Sequence, residues 1–388
     1  MLGHKRIPSR EGGVEIVVEE LATRMASLGH EVIVYNRKGS HVSGIGNEQK
    51  EYGKNYDYKG VKVKTAFTLP QKSLNAILYS FFATLKACFS PADVIHFHAE
   101  GPCSMIPLAK LFGKRCIATI HGLDWQRSKW GGFATKFLLF GEKMAAKHAD
   151  KLIVLSEGVK KYFEDTYKRE SVVIPNGIFR VDSKDANVIT YKYGLHGNDY
   201  LLFLARLVPE KGAHTLLEAY EKSGVKVPLV IAGGSSHSDE YFRKIESMVE
   251  KINAEASKAH TGQMVIMTGF VQGKELEELY SNAMLYILPS EIEGMPLSLL
   301  EAMSYGNLCL TSDIPENTDV TEDYGFSFVF GDVNSLEEKL IELCNDVESL
   351  RNTECYTRES IQKFILGKYN WDDVTKRTLE CYEDINRK

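Results

Sequence analysis

Short apolar runs recur along the chain, each followed by a polar or glycine-rich turn and then by a stretch with helical spacing. In the first half the runs are Glu31–Tyr35, Val61–Thr65, Asp93–Phe97, Cys116–Ile120, Lys151–Leu155 and Val172–Ile174. Helical patterns cover Val14–Leu28 (ended by Gly29), Leu74–Phe89 and Lys136–His148, and residues 40–60 are polar and glycine-rich, which predicts a loop. The alternation restarts with Tyr200–Leu204, Val230–Ala232, Met264–Met267, Met284–Leu288, Leu308–Thr311 and Phe326–Phe330, followed by a helix from Ser335. Strands alternating with helices imply parallel, doubly wound sheets. A chain of 388 residues is long enough for two such domains. Pro175-Asn176-Gly177 is a turn signal and the polar stretch 181–198 connects the two halves, with domains expected at 1–180 and 181–370.

One stretch combines a strand, a loop and a helix start. Met284–Leu288 reads as a buried strand, and the loop Ser290–Gly294 follows. Pro296 suits a first helical position, Leu297, Leu300, Ala302 and Met303 supply a packing face, and Gly306 ends the helix. The amino end of such a helix lies where ligands of parallel sheets bind, and its free N–H groups suit an anion. Glu293 and Glu301 flank the turn. Their spacing alone carries nothing, because Glu11/Glu19 and Glu210/Glu218 share it; the Gly-Met-Pro turn between strand and helix sets this pair apart.

Other strand ends carry chemistry too. Arg206 and Lys211 fall between a strand and a helix, where an arginine fork and a lysine point charge can stabilise a departing phosphate. Gly233-Gly234 and Gly269-Phe270-Val271 follow two further strands. His121, with Gly122 and Asp124 behind it, ends the run Cys116–Ile120, a position suited to a ligand crevice. His98 is a weaker candidate in a less distinctive loop. Gly12 and Gly13 before the first helix let backbone approach a ligand, but no G-x-G-x-x-G accompanies them, so a nicotinamide cofactor has no support. No D-x-D pair follows a strand to hold a metal.

Charge divides the chain. Residues 1–180 hold 27 Lys+Arg against 17 Asp+Glu, and residues 181–388 hold 20 against 35, so the first half is expected to meet something anionic. Lys110, Lys114, Arg115, Lys143 and Lys147 are the candidate surface. Leu74–Phe89 carries a single charge, Lys86, and reads as a buried core helix, with a helix lying on a membrane as the alternative. No window has the roughly 18 uninterrupted apolar residues of a membrane span, and the polar, basic start shows no cleavable leader. The seven cysteines are dispersed and without a C-x-x-C pair, which reads as free thiols in a reducing compartment.

Taken together, the Gly12-Gly13 loop, His121-Gly122, Pro175-Asn176-Gly177, Arg206-x(4)-Lys211-Gly212, Gly269-Phe270, Glu293-Gly-Met-Pro296 and the final helix around Trp371 resemble the retaining glycosyltransferases of GT-B fold, family 4. The opening resembles the subgroup of bacterial rhamnosyltransferases. The resemblance implies two Rossmann-like domains facing a cleft, with helix 371–388 crossing back to the first. It implies a hexosyl or deoxyhexosyl group moved from a UDP- or dTDP-linked donor to a glycan or lipid-linked glycan in cell-surface polysaccharide synthesis. No metal, further cofactor or nucleic acid is expected; the enzyme would be cytoplasmic, in peripheral contact with the inner face of an anionic membrane.

Residue by residue, the resemblance places Gly12 and Gly13 between donor phosphates and acceptor, and His121 beside the donor sugar. Arg206 and Lys211 would meet the departing diphosphate and Glu293 the sugar hydroxyls. Amides from Gly294 onward, with Met295 and Leu297, would meet sugar and phosphate. Glu301 would bind the ribose, Phe270 and Val271 would flank the base, and Asn176 and Gly233 would complete the donor site. Attack would come from the face the leaving group departs, without a nucleophile pair. Alternatives are a GT-B nucleotide-sugar epimerase and a non-catalytic sugar-nucleotide-binding protein. A doubly wound domain opens with a central strand of about five residues, whereas only Met1 and Leu2 precede the loop at Gly3. The expectation is therefore either a domain that tolerates a stub of this strand or, the sharper reading, a protein that starts several residues upstream.

Overall fold

A computed structural model describes residues 1–39, 55–126, 131–234 and 239–386. The chain forms two units, Met1–Gly177 with Tyr369–Lys388, and Ile178–Lys368.

The first unit contains β1 (Ile33–Arg37), β2 (Tyr56–Tyr58), β3 (Val61–Ala66), β4 (Val94–His98), β5 (Arg115–Ile120), β6 (Lys151–Val154) and β7 (Val172–Val173). β1 pairs with β3 in parallel, β2 adds antiparallel to β3, and β4-β5-β6-β7 form a parallel series. Met1 and Leu2 lie between β1 and β4. Tyr35 N–H donates to Met1 O at 3.1 Å, Leu2 N–H to His96 O at 3.0 Å, and His98 N–H to Leu2 O at 2.9 Å. The central slot is thus held by these two residues, with Leu2 fully buried. Gly3 follows with φ +122, and a Cβ there would sit 2.1 Å from His98 O, so only glycine fits.

The helices of this unit are α1 (Gly13–Ser27), α2 (Lys72–Cys88), α3 (Glu100–Cys103), α4 (Ile106–Leu111), α5 (Gly132–His148) and α6 (Glu157–Tyr167). Successive strand residues point to opposite faces. Ile117 and Ile153 accordingly join Val17, Leu21 and Met25 of α1 in one core, whereas Cys116, Ala118, Leu152 and Val154 join Tyr79, Ala83, Ile106 and Ala145 in another. The carboxy-terminal helix (Trp371–Asn386) belongs to the first core, through Trp371, Val374, Cys381 and Ile385. A Cβ on Gly177 would lie 2.7 Å from Trp371, so the chain turns at Gly177 directly against that helix.

The expectation of a buried helix over Leu74–Phe89 needs correction. α2 buries Tyr79, Ala83 and Ala87, a seam at i, i+4, i+8, but leaves Leu74 42%, Phe81 39% and Phe89 74% exposed. Lack of charge signals apolar surface, not burial on every side.

The second unit holds β8 (Leu201–Leu204), β9 (Leu229–Ala232), β10 (Val265–Gly269), β11 (Leu285–Leu288), β12 (Leu308–Ser312) and β13 (Phe326–Phe328), all parallel, in the order β10-β9-β8-β11-β12-β13. Its helices are α7 (Val188–Tyr193), α8 (Ala213–Ser223), α9 (Asp239–Ala259), α10 (Lys274–Asn282), α11 (Leu297–Ser304), α12 (Pro315–Thr321), α13 (Val333–Arg351) and α14 (Arg358–Lys368). β9 and β11 are buried at every position, as strands covered on both faces must be. Pro296 precedes α11 in an extended conformation rather than opening it. The strand order reverses between β8 and β11, the topological switch point where open α/β sheets bind ligands.

Candidate functional site

In the second unit, the loops leaving β8 and β11 part at that switch point and are tied together. Gly212 adopts φ +70, and a Cβ on it would lie 2.0 Å from Pro289 O. Glu291 N–H donates to Glu210 O at 2.9 Å. This close approach brings Lys211 onto Glu293, with which it forms an ion pair at side-chain exposures of 15% and 6%. Ser290 Oγ–H donates to the same carboxylate oxygen at 2.6 Å. Ser290 is itself held by Ser312, whose hydroxyl donates to Ser290 O at 2.5 Å and accepts from Asn317 Nδ2 at 2.9 Å. A low-exposure carboxylate, one cation and one hydroxyl donor therefore share a single point. Arg206 lies partly buried on the same loop as Lys211.

The ends of β8, β9 and β10 also meet. Gly233 has φ +152, and a Cβ would stand 1.8 Å from Ala205 O. Its N–H donates to Gly269 O at 2.8 Å, and Leu207 N–H donates to Gly234 O at 3.1 Å. Phe270 projects beside Gly234 with 54% of its surface exposed, and Val271 is buried. Across the switch point, Gly294 is buried and Met295 and Leu297 are partly buried. The first intrahelical bonds of α11 run from Leu299 and Leu300 N–H to Pro296 O, so the amides of Leu297 and Ser298 precede the helical ladder. Glu301, one turn on, accepts a hydrogen bond from Tyr280 OH at 3.1 Å, which places it in a fixed position rather than on a solvated helix face.

In the first unit, His121 leaves β5 and His98 ends β4. His98 Nδ1 lies 3.1 Å from His121 Nε2. His98 stacks on His96 with ring centroids 4.1 Å apart. His96 in turn meets Tyr382 OH of the carboxy-terminal helix at 2.7 Å through Nδ1, and Thr119 Oγ1 at 2.7 Å through Nε2. Desolvation by the surrounding protein pushes His121 down to about 4, with Asp124 opposing, and holds His96 and His98 well below the usual range. All three imidazoles are neutral at pH 7. In the same unit, buried Glu142 accepts from Trp125 Nε1 at 3.0 Å, Tyr162 OH at 2.8 Å and Tyr167 OH at 2.5 Å. The fully buried carboxyl of Glu100 is pushed up to about 10 by burial, with Asp124 and Glu142 adding to it. Gly12 caps α1, its carbonyl accepting from Ile16 N–H at 3.2 Å, Gly13 begins that helix, and Asn176 is buried.

The structure thus joins Lys211 to Glu293 and joins His121 to His98, the weaker candidate. Tyr280, Tyr382 and Glu142 gave no signal in the sequence, because each acts through a partner 17 or more residues away, and Ser290, only three residues from Glu293, reads there only as the end of the strand. Among the described residues, no group of three or more His, Cys, Asp or Glu could hold a metal ion, and no helix is long and apolar enough to cross a membrane.

Two doubly wound units with ligand-type loops at a switch point define an α/β protein of GT-B fold. A family model for Glycosyltransferase Family 4 matches residues 11–179, and one for Glycosyl transferases group 1 matches residues 191–360. The chain belongs to the GT-B glycosyltransferases and is an enzyme of that class. It is similar to an uncharacterized glycosyltransferase of Methanocaldococcus jannaschii, with 23% identity over 97% of this chain and 95% of the relative. It is also similar to the capsular polysaccharide biosynthesis glycosyltransferase CapM of Staphylococcus aureus, with 25% identity over 86% and 87%. Among solved structures, Anabaena HepE in complex with UDP-glucose superposes with a TM-score of 0.77 at 16% identity, covering 99% of this chain and 98% of that one.

Proposed function

We propose that this glycosyltransferase moves a hexosyl or deoxyhexosyl group from a UDP- or dTDP-sugar to a glycan or lipid-linked glycan, with retention and without a metal, in cell-surface polysaccharide synthesis. The observation that carries the reading is the Lys211–Glu293 ion pair on two loops at the switch point of the second unit. Breaking the bond between the sugar C1 and the diphosphate oxygen leaves negative charge on that oxygen. Lys211 and Arg206 stabilise it. Lys211 leaves Glu293 for the phosphate, and Glu293, still held by Ser290, accepts hydrogen bonds from sugar hydroxyls. The acceptor oxygen bonds to C1 on the face the phosphate leaves, and its proton passes to the departing phosphate oxygen. The α11 amides meet phosphate, Glu301 meets ribose, and Phe270 covers the base. His121 meets the donor sugar. The UDP-glucose held by the Anabaena relative supports a nucleotide-sugar donor, and the capsular relative supports a polysaccharide product.

The reading extends to the inner face of an anionic membrane. Phe133, Lys136, Phe140, Lys143 and Lys147 are all exposed and follow one another at helical spacing along α5, the pattern of a helix that rests on a charged interface. Lys110 and Lys114 contribute less than expected: Lys110 pairs with Asp150 at 2.8 Å, and Lys114 donates to Ser90 O at 2.8 Å and Ala92 O at 3.0 Å. A thermal-shift panel of UDP-, dTDP- and GDP-sugars tests the donor, since a ligand that binds only the folded state raises its melting temperature. One nucleotide class should stabilise the chain, and Lys211→Ala should weaken that response. No response to any of them overturns the reading.

A further inference from the structure

His98 is fully buried, and its Nε2 has no hydrogen-bond partner among the described residues. Its other nitrogen, Nδ1, makes the 3.1 Å contact with His121 Nε2. Both rings are neutral, so one proton serves that contact and two arrangements are open. If His121 donates from Nε2, His98 must carry its own proton on Nε2, as a buried N–H with nothing to accept it. If His98 donates from Nδ1, its Nε2 is a bare lone pair, and His121 carries its proton on Nδ1. Buried N–H groups without partners are the rarer defect, which favours the second arrangement.

The same unit already holds a buried bare imidazole nitrogen. Asn36 Nδ2 donates to Ile7 O at 3.0 Å, and Asn36 Oδ1 accepts from Ile7 N–H at 3.1 Å. His4 Nε2, 2.9 Å from that Oδ1, is therefore a donor. Being neutral, His4 leaves Nδ1 bare, and this atom too is buried without a partner among the described residues. The stacking partner His96, bound at both nitrogens by Tyr382 and Thr119, keeps the His98 ring in its plane.

We propose that His98 is a positioning residue: through the Nδ1···Nε2 contact it holds His121 in the Nδ1–H tautomer, so that His121 meets an oxygen of its ligand as a hydrogen-bond donor and not as a base. The tautomer follows from the contact between two neutral buried rings and from the unpartnered Nε2 of His98. Its consequence for turnover rests on the proposed place of His121 beside the donor sugar.

Nitrogen-15 NMR of the histidine-labelled full chain reads the tautomer directly, with His121 assigned by His121→Gln. The expected spectrum has the proton of His121 on Nδ1. His98→Leu should release His121 to the Nε2–H form and lower kcat about tenfold or more, the scale on which partners that orient an imidazole act, with the donor KM nearly unchanged. His98→Asn, whose amide nitrogen reaches the place of Nδ1, should keep the tautomer and most of kcat. A wild-type His121 protonated on Nε2 overturns the proposal even if no variant folds; so does a His98→Leu enzyme with the tautomer and kcat unaltered. If the tautomer behaves as expected while His121→Gln keeps full turnover, the role given to His121 in the reaction fails and the positioning by His98 stands.

Discussion

The two units arrange their candidate residues by opposite electrostatic means. The first assembles neutral imidazoles, His96, His98 and His121, held uncharged by burial and ordered by hydrogen bonds and stacking. The second assembles full charges, Lys211 against Glu293, with Ser290 completing the carboxylate's shell. A neutral donor can be fixed in place before a ligand comes, because it carries no uncompensated charge. A cation intended for a diphosphate must be compensated until the phosphate arrives, and Glu293 provides that compensation. One side is therefore expected to respond to pH and the other to ligand charge.

Breaking the charged side should have the largest effect. Lys211→Ala should lower turnover by roughly two to three powers of ten, the scale of a single electrostatic stabiliser. It should also lower the melting temperature, since Glu293 is left buried without its cation. Adding Glu293→Gln to that variant should restore the melting temperature and leave turnover low. Steady-state kinetics and calorimetry on the wild type and these two variants check this, and a double variant as unstable as Lys211→Ala would remove the compensating role of Glu293.

The neutral side should fail in acid. The folded-state values of His4 (about 3), His121 (about 4), His96 and His98 all lie below the usual 6.5. The unfolded chain then binds more protons than the folded one as pH drops below 6.5. The stability these groups contribute is complete above pH 6.5 and is lost as pH falls through the folded values. Calorimetry between pH 7 and 4 should show the first unit losing its transition before the second. Transitions that move together would sink the contrast.

Smaller effects sharpen it. Tyr382→Phe removes the hydroxyl that meets His96 Nδ1, at a cost of about 1–3 kcal/mol for a buried group left unsatisfied; urea unfolding should detect it with little change in donor KM. The weakest expected effect is at the surface. Binding to phosphatidylglycerol vesicles should fall with added salt, because attraction is screened over about 10 Å at 0.1 M. Replacing Lys143 and Lys147 with glutamine should weaken it, and equal binding to neutral vesicles would remove the anionic-membrane reading.

The local half of this protein was legible in the chain. Alternating apolar runs predicted both sheets, because a strand buried on two faces has to be apolar. The turns at Gly212, Gly233 and Gly294 marked the ligand end. Trp371 of the carboxy-terminal helix packs in the first unit's core. The burial of Leu74–Phe89 was misjudged, since composition cannot say which side of a helix a sheet will cover. The place of Met1 and Leu2 between β1 and β4 depends on partners 32 and more residues away.

Periodicity and turn chemistry are properties of neighbours in sequence, so the sequence by itself determined the elements, their alternation and the loops that carry chemistry. Which loops adjoin is a property of strand order. Lys211 and Glu293 are 82 residues apart, His98 and His121 are 23 apart, and Tyr382 is 286 from His96. Only the packing of β8 beside β11, of β4 beside β5, and of the last helix against the first sheet decided that these side chains meet, and with that the charge or tautomer each of them carries.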